Sequence, residues 1–181
     1  MFEVVEQIDR LFFYFLDRFD FSSIMFLAFF SYYYFYLFFL VFSLYLYFFE
    51  RDRRIFSLLV LLSLIGFSVI YILKYTIKRD RYENSIIQKI DYSFPSSHSY
   101  FATLIILFSI YFVRAYYFKY PIMLFSFFEF FSILILKIHY LSDVIFSVVF
   151  AISLFYLFNN LKIYDKILQR VKLIRKRISL D

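Results

Sequence analysis

The sequence predicts an all-α integral membrane protein with about five transmembrane helices and an amphipathic helix at the N-terminus. Two observations on composition support this: 64% of the 181 residues are hydrophobic and 28% are aromatic. A single core of this size cannot bury so many Phe and Tyr side chains, so lipid must cover much of the surface. The third observation is that the apolar runs are long and lack the alternation of barrel strands, which leaves helices.

Residues 1–20 are predicted to form an amphipathic helix that lies in the membrane interface. Their apolar side chains recur at helical spacing, at Val4, Ile8, Leu11, Phe12, Phe15 and Phe19. The polar side chains fall mostly on another face, and several of them are acidic. The alternative is the first half of a longer, broken spanning helix. A signal peptide is not expected, because the basic n-region is missing.

Residues 21–158 are predicted to form the transmembrane bundle of a single domain that covers residues 1–181. The five apolar runs are Phe21–Phe49, Ile55–Leu73, Ser99–Val113 with Tyr117 as its far limit, Pro121–Leu136 and Val144–Phe158. A helix needs about 20 residues to cross the hydrocarbon layer. The first run is therefore long enough to tilt, and the last two must borrow turns from their flanks.

The distribution of Lys and Arg predicts the orientation in the cytoplasmic membrane. The basic tail, residues 159–181, belongs in the cytoplasm, where it would anchor on anionic lipid and not on nucleic acid. Five spans then place the start of the first run outside. Five basic residues nevertheless lie in one outer connection, at Lys74, Lys78, Arg79, Arg81 and Lys89. Such a cluster predicts either an anion site or an ordinary interfacial loop.

Three polar stations fall on that same outer side. The first is Lys74 with Arg81, and the second is the stretch PSSH at 95–98, directly ahead of the third run. Serines at a helix start leave N–H groups at a positive helix end, which suits a phosphate, and Pro95 is predicted at the first helical position. The third station is His139 with Asp143, which four-residue spacing would place on one helix face. Both histidines of the chain lie in these stations, which favours chemistry over packing.

These stations resemble the three signature motifs of the type 2 phosphatidic acid phosphatase superfamily in order and separation. The motifs span residues 74–143, and the helical layout extends the resemblance to nearly the whole chain. The resemblance implies a membrane lipid phosphatase with that family's helical-bundle fold. It implies that His139 attacks phosphorus and becomes a phosphohistidine, with Asp143 orienting its ring. It also implies that His98 protonates the leaving oxygen and then activates water. The residues implied to hold the phosphoryl group are Lys74, Arg81, Ser96 and Ser97.

The third motif departs most from the family pattern. Ser132 stands seven residues before His139 as expected, but Ile133 follows where the family has arginine. We expect Lys137 to replace that cation, with Arg79 and Lys78 as alternatives. Lys137 can do so only if residues 137–142 form a non-helical turn. Its other interpretation is a side chain that extends to the interface.

Two smaller departures lie in the first and second motifs. Tyr82 replaces the proline that follows the first motif, and Ser97 replaces the glycine of PSGH. The first substitution should cost only loop stiffness. The second keeps the backbone N–H but adds a side chain to the phosphate site.

The expected substrate is a lipid-borne phosphate, because short loops place the site at headgroup depth. The resemblance offers undecaprenyl pyrophosphate, phosphatidylglycerol phosphate, phosphatidic acid and lipid A 1-phosphate, without choosing among them. No cofactor, no metal, no nucleic acid and no obligate protein partner is expected beyond the lipid bilayer. The alternatives are a lipid phosphotransferase that uses the same phosphohistidine, and a non-catalytic membrane protein of the same fold, for which Ile133 is the best argument.

Overall fold

The computed structural model describes residues 2–50, 53–87 and 90–160, and this part of the chain is mostly helical. Its longest described connection comprises residues 78–87 and 90–96. Its six helices are α1 Phe2–Leu16, α2 Ser22–Phe49, α3 Arg53–Ile77, α4 Ser97–Phe112, α5 Tyr116–Ile135 and α6 Leu141–Asn160. The predicted all-α class is therefore confirmed. Lys89 and the basic tail beyond Asn160 lie outside the described residues.

Four helices are long and apolar enough to cross a membrane: α2 from Met25 onward, α3, α5, and α6 up to Phe158. The chain is thus a multi-pass membrane protein. The fourth predicted span begins earlier than expected, because α5 starts at Tyr116 and includes Pro121. As predicted, the last two helices extend beyond their apolar runs into the flanking residues.

The third predicted span is α4, which is the most enclosed helix of the bundle. It has 16 residues, 11 of them buried, and it packs against α2, α3, α5 and α6. At 1.5 Å per residue it measures about 24 Å, which is short of the ~30 Å hydrocarbon layer. The neighbouring helices therefore cover most of α4, and lipid contacts them instead.

The only glycine of the chain sets the approach of α3 to α4. A Cβ added at Gly66 would lie 2.0 Å from Cζ of Tyr100. The missing side chain admits the fully buried Tyr100 ring, whose hydroxyl donates a hydrogen bond to the Leu62 carbonyl at 2.8 Å. This contact holds the first turns of α4, which carry the second polar station, against α3.

Helix α1 is separated from α2 by a non-helical link at residues 17–21. Its predicted apolar stripe points away from the protein, and Leu11 and Phe15 are more than half exposed. Asp9 and Phe13 point inward and are each 1% exposed. Asp9 and Phe13 thus pack on the bundle, while Glu6 and Arg10 of the predicted polar face stay exposed. Most of the apolar stripe is also exposed and is available to lipid.

Candidate active site

The three polar stations meet at one end of the bundle, which we call the polar end and define by Lys74, Arg79, Arg81, His98, His139 and Asp143. Helices α3 and α5 end there, and α4 and α6 begin there. The connection between α3 and α4 folds across this end. Ser93 N–H donates to the Arg79 carbonyl at 2.8 Å, and Ile86 N–H donates to the Leu136 carbonyl at 3.1 Å.

His139 lies in the turn between α5 and α6 and not on a helix, which corrects the prediction that it shares a helix face with Asp143. Helix α6 begins only at Leu141, so Asp143 sits in its first turn. The carboxylate accepts hydrogen bonds from Tyr140 N–H at 3.1 Å and from the Ser93 hydroxyl. A bond to the N–H groups at a helix start fixes such a carboxylate in place.

The imidazole and the carboxylate still face each other. His139 Nδ1 and Asp143 Oδ2 are 3.5 Å apart, and the two side chains are 2% and 0% exposed. This separation exceeds the usual N–H···O range of about 2.7–3.2 Å, and catalytic hydrogen bonds are often long without substrate. A carboxylate beside Nδ1 favours the tautomer with its proton on Nδ1, which leaves the Nε2 lone pair for attack.

The environment of His139 suits a nucleophile. Burial lowers the pKa of His139 from 6.5 to about 4, against the opposite effect of its contact with Asp143. The positive charges of Arg81 and Lys74 act in the same direction as burial. The ring is therefore neutral near pH 7, as an attacking nitrogen must be.

His98 has neighbours of a different kind. It is the second residue of α4 and is 2% exposed. Its ring stacks on Tyr32, with centroids 4.7 Å apart, and Tyr36 and Phe35 lie at 4.8 and 5.5 Å. These three rings come from α2, for which the sequence suggested no role in the site. Their spacing, i, i+3 and i+4, places them on one helix face and is the signal that could have revealed them.

The serines of the second station surround the start of α4. Ser96 is the N-cap, and its hydroxyl oxygen accepts from Ser99 N–H at 3.3 Å and from the Ser99 hydroxyl at 2.9 Å. Ser97 is the first helical residue, with its hydroxyl 3.2 Å from that of Tyr36. Pro95 therefore precedes the N-cap, and its prediction at the first helical position was wrong. The positive end of α4 faces the site, as the phosphate interpretation requires.

Lys74 and Arg81 share one carboxylate. Lys74 lies in the last turn of α3, with Nζ 3.4 Å from Asp91 Oδ2, and also donates to the Tyr92 carbonyl. Arg81 Nη2 lies 2.6 Å from Asp91 Oδ1, and its Nη1 donates to the Ile138 carbonyl at 2.6 Å. Asp91 is 38% exposed. A carboxylate thus sits between the two cations implied to bind phosphate, and this residue was not singled out in the sequence.

Arg79 is paired with two other carboxylates. Its Nη1 lies 2.7 Å from Asp143 Oδ1 and its Nη2 lies 2.7 Å from Asp9 Oδ2. The guanidinium also stacks over the Tyr140 ring, 4.0 Å from the centroid. Arg79 was an alternative candidate for the missing cation of the third motif, but its charge is directed to Asp9 and Asp143.

Ser132, Ile133 and Lys137, the residues concerned by the departure in the third motif, lie in three different environments. Ile133 is 0% exposed and packs in an apolar cluster. The Ser132 hydroxyl donates to the Phe128 carbonyl of its own helix at 3.0 Å. Residues 136–140 form a non-helical turn in which Lys137 has a φ of 54°. This covers only part of the predicted turn at 137–142, because α6 begins at Leu141. Its ammonium forms an ion pair with Asp17, in the link after α1.

The fold and the site define a class before any comparison: a multi-pass helical membrane protein with two buried histidines and a basic cluster at one end of its bundle. A family model described as the PAP2 superfamily matches residues 72–166, which are 95 of the 181 residues. The chain belongs to the PAP2 superfamily, the type 2 phosphatidic acid phosphatase family that the motifs resembled.

A solved structure supports the same fold. It is the crystal structure of the first transmembrane PAP2 type phosphatidylglycerolphosphate phosphatase from Bacillus subtilis, which matches with a TM-score of 0.58 and 18% sequence identity. The match covers 78% of this chain and 74% of that chain. At this identity the likeness concerns the fold alone. No curated protein matches the sequence.

Proposed function

We propose that the protein is an integral membrane phosphatase that hydrolyses a lipid-linked phosphate or pyrophosphate monoester through a phosphohistidine on His139. The observation that carries this proposal is the buried His139 facing Asp143, at the same bundle end as His98 and the buried side chains of Lys74 and Arg81. Membership of the PAP2 superfamily supports a phosphatase.

In the first step the phosphoryl oxygens bind Lys74, Arg81 and the N-terminal end of α4 at Ser96 and Ser97. Nε2 of His139 attacks phosphorus and forms a P–N bond, while the bond from phosphorus to the leaving oxygen breaks. His98 gives its proton to that oxygen. Phosphoryl transfer needs positioning and charge stabilisation above all, and these cations and backbone dipoles provide both.

In the second step His98, now neutral, takes a proton from water. The resulting hydroxide attacks phosphorus, the P–N bond breaks, and inorganic phosphate leaves. His139 returns to its neutral form and His98 to its protonated form, so protons balance over the cycle.

Asp91 must give way to the substrate in this scheme. Its carboxylate pairs with both Lys74 and Arg81. An arriving phosphoryl group would replace this carboxylate as the anion bound to the two cations. Asp91 is partly exposed, so its side chain can move toward solvent. We predict that Asp91→Asn binds inorganic phosphate more tightly, because the competing negative charge is gone. Product inhibition of the two proteins at several phosphate concentrations measures this, and an unchanged or weaker inhibition contradicts it.

A lipid phosphate suits the site's position at the end of a spanning bundle. The charge bias of the sequence supports an extracytoplasmic site and a cytoplasmic C-terminus, and undecaprenyl pyrophosphate, phosphatidylglycerol phosphate, phosphatidic acid and lipid A 1-phosphate all fit. Ser132 and Lys137, from the third motif, stay in the proposal as residues that bind the phosphoryl group. Lys137 would have to release Asp17 before it could contact phosphate.

The deciding experiment measures phosphate release by the purified protein from a panel of these four lipids. Each reaction is run with and without an acceptor glycolipid, and with and without EDTA, with His139→Ala as the blank. Hydrolysis that survives EDTA supports the proposal and the predicted independence from metals. Product that appears only with acceptor identifies a phosphotransferase, and no reaction on any lipid favours a non-catalytic protein.

A further inference from the structure

Helix α1 reaches the polar end through a buried carboxylate. Asp9 is 1% exposed, and its Oδ1 accepts from Ser142 N–H at 3.0 Å while Oδ2 accepts from the Ser142 hydroxyl at 2.6 Å. Ser142 is the second residue of α6. The first N–H groups of a helix have no acceptor within it, so Asp9 caps α6 from a different helix. Its negative charge also suits the positive end of α6.

Arg79 connects Asp9 to the residues beside the nucleophile. One guanidinium nitrogen lies 2.7 Å from Asp9 and the other lies 2.7 Å from Asp143. The second nitrogen also donates to the Ser142 hydroxyl at 2.7 Å. A planar guanidinium held at both ends has a fixed orientation, and charge-assisted bonds of this kind are strong. Asp143 turns its other oxygen toward His139 Nδ1.

We infer that Asp9 is a positioning residue for the reaction, which holds Arg79 and the start of α6 so that Asp143 faces His139. The part that concerns turnover rests on the proposed function. Asp9 contacts Arg79 and Ser142, two residues that lie between it and the imidazole. Without its carboxylate, Arg79 can turn both nitrogens to Asp143 and draw that carboxylate away from His139.

A merely structural role for Asp9 would be to dock α1 on the bundle. Loss of docking lowers the amount or stability of folded protein, but leaves the chemistry of the folded fraction intact. The two roles therefore differ in the tautomer of His139 and in turnover per folded molecule.

Asp9→Asn is the informative variant, because it keeps the size and one acceptor oxygen for Ser142 N–H while removing the charge that holds Arg79. Glu6→Gln is its matched control. Glu6 lies one turn earlier on α1, loses the same charge, and pairs with Arg10 at 4.0 Å on an exposed surface. Asp9→Glu keeps the charge and should recover part of the wild-type behaviour.

The first measurement is ¹⁵N NMR of the full-length protein labelled at histidine. The chain has two histidines, so His98→Ala assigns both signals. We expect His139 to carry its proton on Nδ1 in the wild type and in Glu6→Gln, and to become a mixture of tautomers in Asp9→Asn. This measurement needs no turnover, so it tests the inference even if no lipid of the panel is hydrolysed.

The second measurement is the kinetics of lipid phosphate hydrolysis. Asp9→Asn should lower kcat by about 10- to 100-fold, because small displacements of catalytic groups are that costly. Its KM should stay close to wild type, because Lys74 and Arg81 are untouched. Wild-type kcat together with an unchanged His139 signal would overturn the inference.

If Asp9→Asn does not fold, Arg79→Lys takes its place, since an ammonium cannot span both carboxylates in a fixed plane. The same two readouts must then change.

Discussion

The two histidines are equally buried at the same end of the bundle, yet their surroundings differ in kind. His98 stacks on the Tyr32 ring of α2, with two further α2 rings beside it, and His139 lies next to Asp143 in a network of charged groups. Ring stacking fixes the plane of an imidazole, whereas a carboxylate also selects its tautomer. The difference teaches how one chain can give two histidines different chemical environments, as the proposed roles of nucleophile and proton donor require.

The two environments also have different origins along the chain. The rings around His98 come from one face of a single helix, α2. The groups around His139 come from α1, from the α3–α4 connection and from α6, with Arg79 joining Asp9 to Asp143. The charged surroundings of His139 therefore depend on more elements of the tertiary structure than the aromatic surroundings of His98 do.

Removing His139, the proposed nucleophile, should have the largest effect, and it tests the charged environment of the comparison. His139→Ala is expected to reduce phosphate release to the blank, because no P–N bond can form. Release is measured on purified protein with the lipid that the panel identifies. Activity near wild type in this variant would rule out the mechanism.

Removing His98, the proposed proton donor, should have the second largest effect. His98→Ala should lower turnover by about 10²- to 10⁴-fold, the usual contribution of general acid–base catalysis. An aryl phosphate with a good leaving group sharpens the test, since its departure needs no proton. The variant should then give a burst of phenol followed by slow turnover, because water activation still lacks its base. Absence of a burst, with both phases equally slow, would contradict the assignment of His98 as the acid.

Replacing Lys137, the expected substitute for the arginine of the third motif, should have a smaller effect. Lys137 pairs with Asp17, in the link after α1. We therefore expect Lys137→Ala to lower kcat by less than about tenfold, and Lys137→Arg to stay near wild type. Loss of a direct charge-stabilising donor would cost about 10²–10³. A fall of that size, partly rescued by Ile133→Arg, would mean that Lys137 leaves Asp17 and binds the phosphoryl group.

The smallest effect concerns pH. Burial lowers the pKa of His139 to about 4, so its neutral, attacking form is present above that pH and is lost as the pH falls through about 4. Between pH 7 and pH 5, protonation of His139 should cost little activity. Histidine NMR over this range is the measurement, with His98→Ala leaving the His139 signal alone. A midpoint at 6 or above would show that water reaches the ring.

Local patterns in the sequence were enough to find the helices and most of the site. Runs of apolar residues predicted the five bundle helices. The topology derived from the Lys and Arg distribution put the three polar stations on one side of the membrane, and the structure brings Lys74, Arg81, His98, His139 and Asp143 together at one end of the bundle. Periodicity and helix-start signals act within a few residues, so they can be read without a fold. The error about His139 has the same local origin. A spacing of four residues occurs both within a helix and between a loop residue and the first turn of a helix, so it could not show that His139 precedes α6.

Only the tertiary structure decided which residues surround that set. Asp9 meets Arg79 from 70 positions away, and the rings of α2 reach His98 from more than 60 positions away. The inward direction of Asp9 and Phe13 on α1 was equally hidden, because periodicity separates the faces of a helix without saying which one meets protein and which meets lipid. Such pairings depend on how helices pack, and packing is set by contacts among residues that are far apart in the chain.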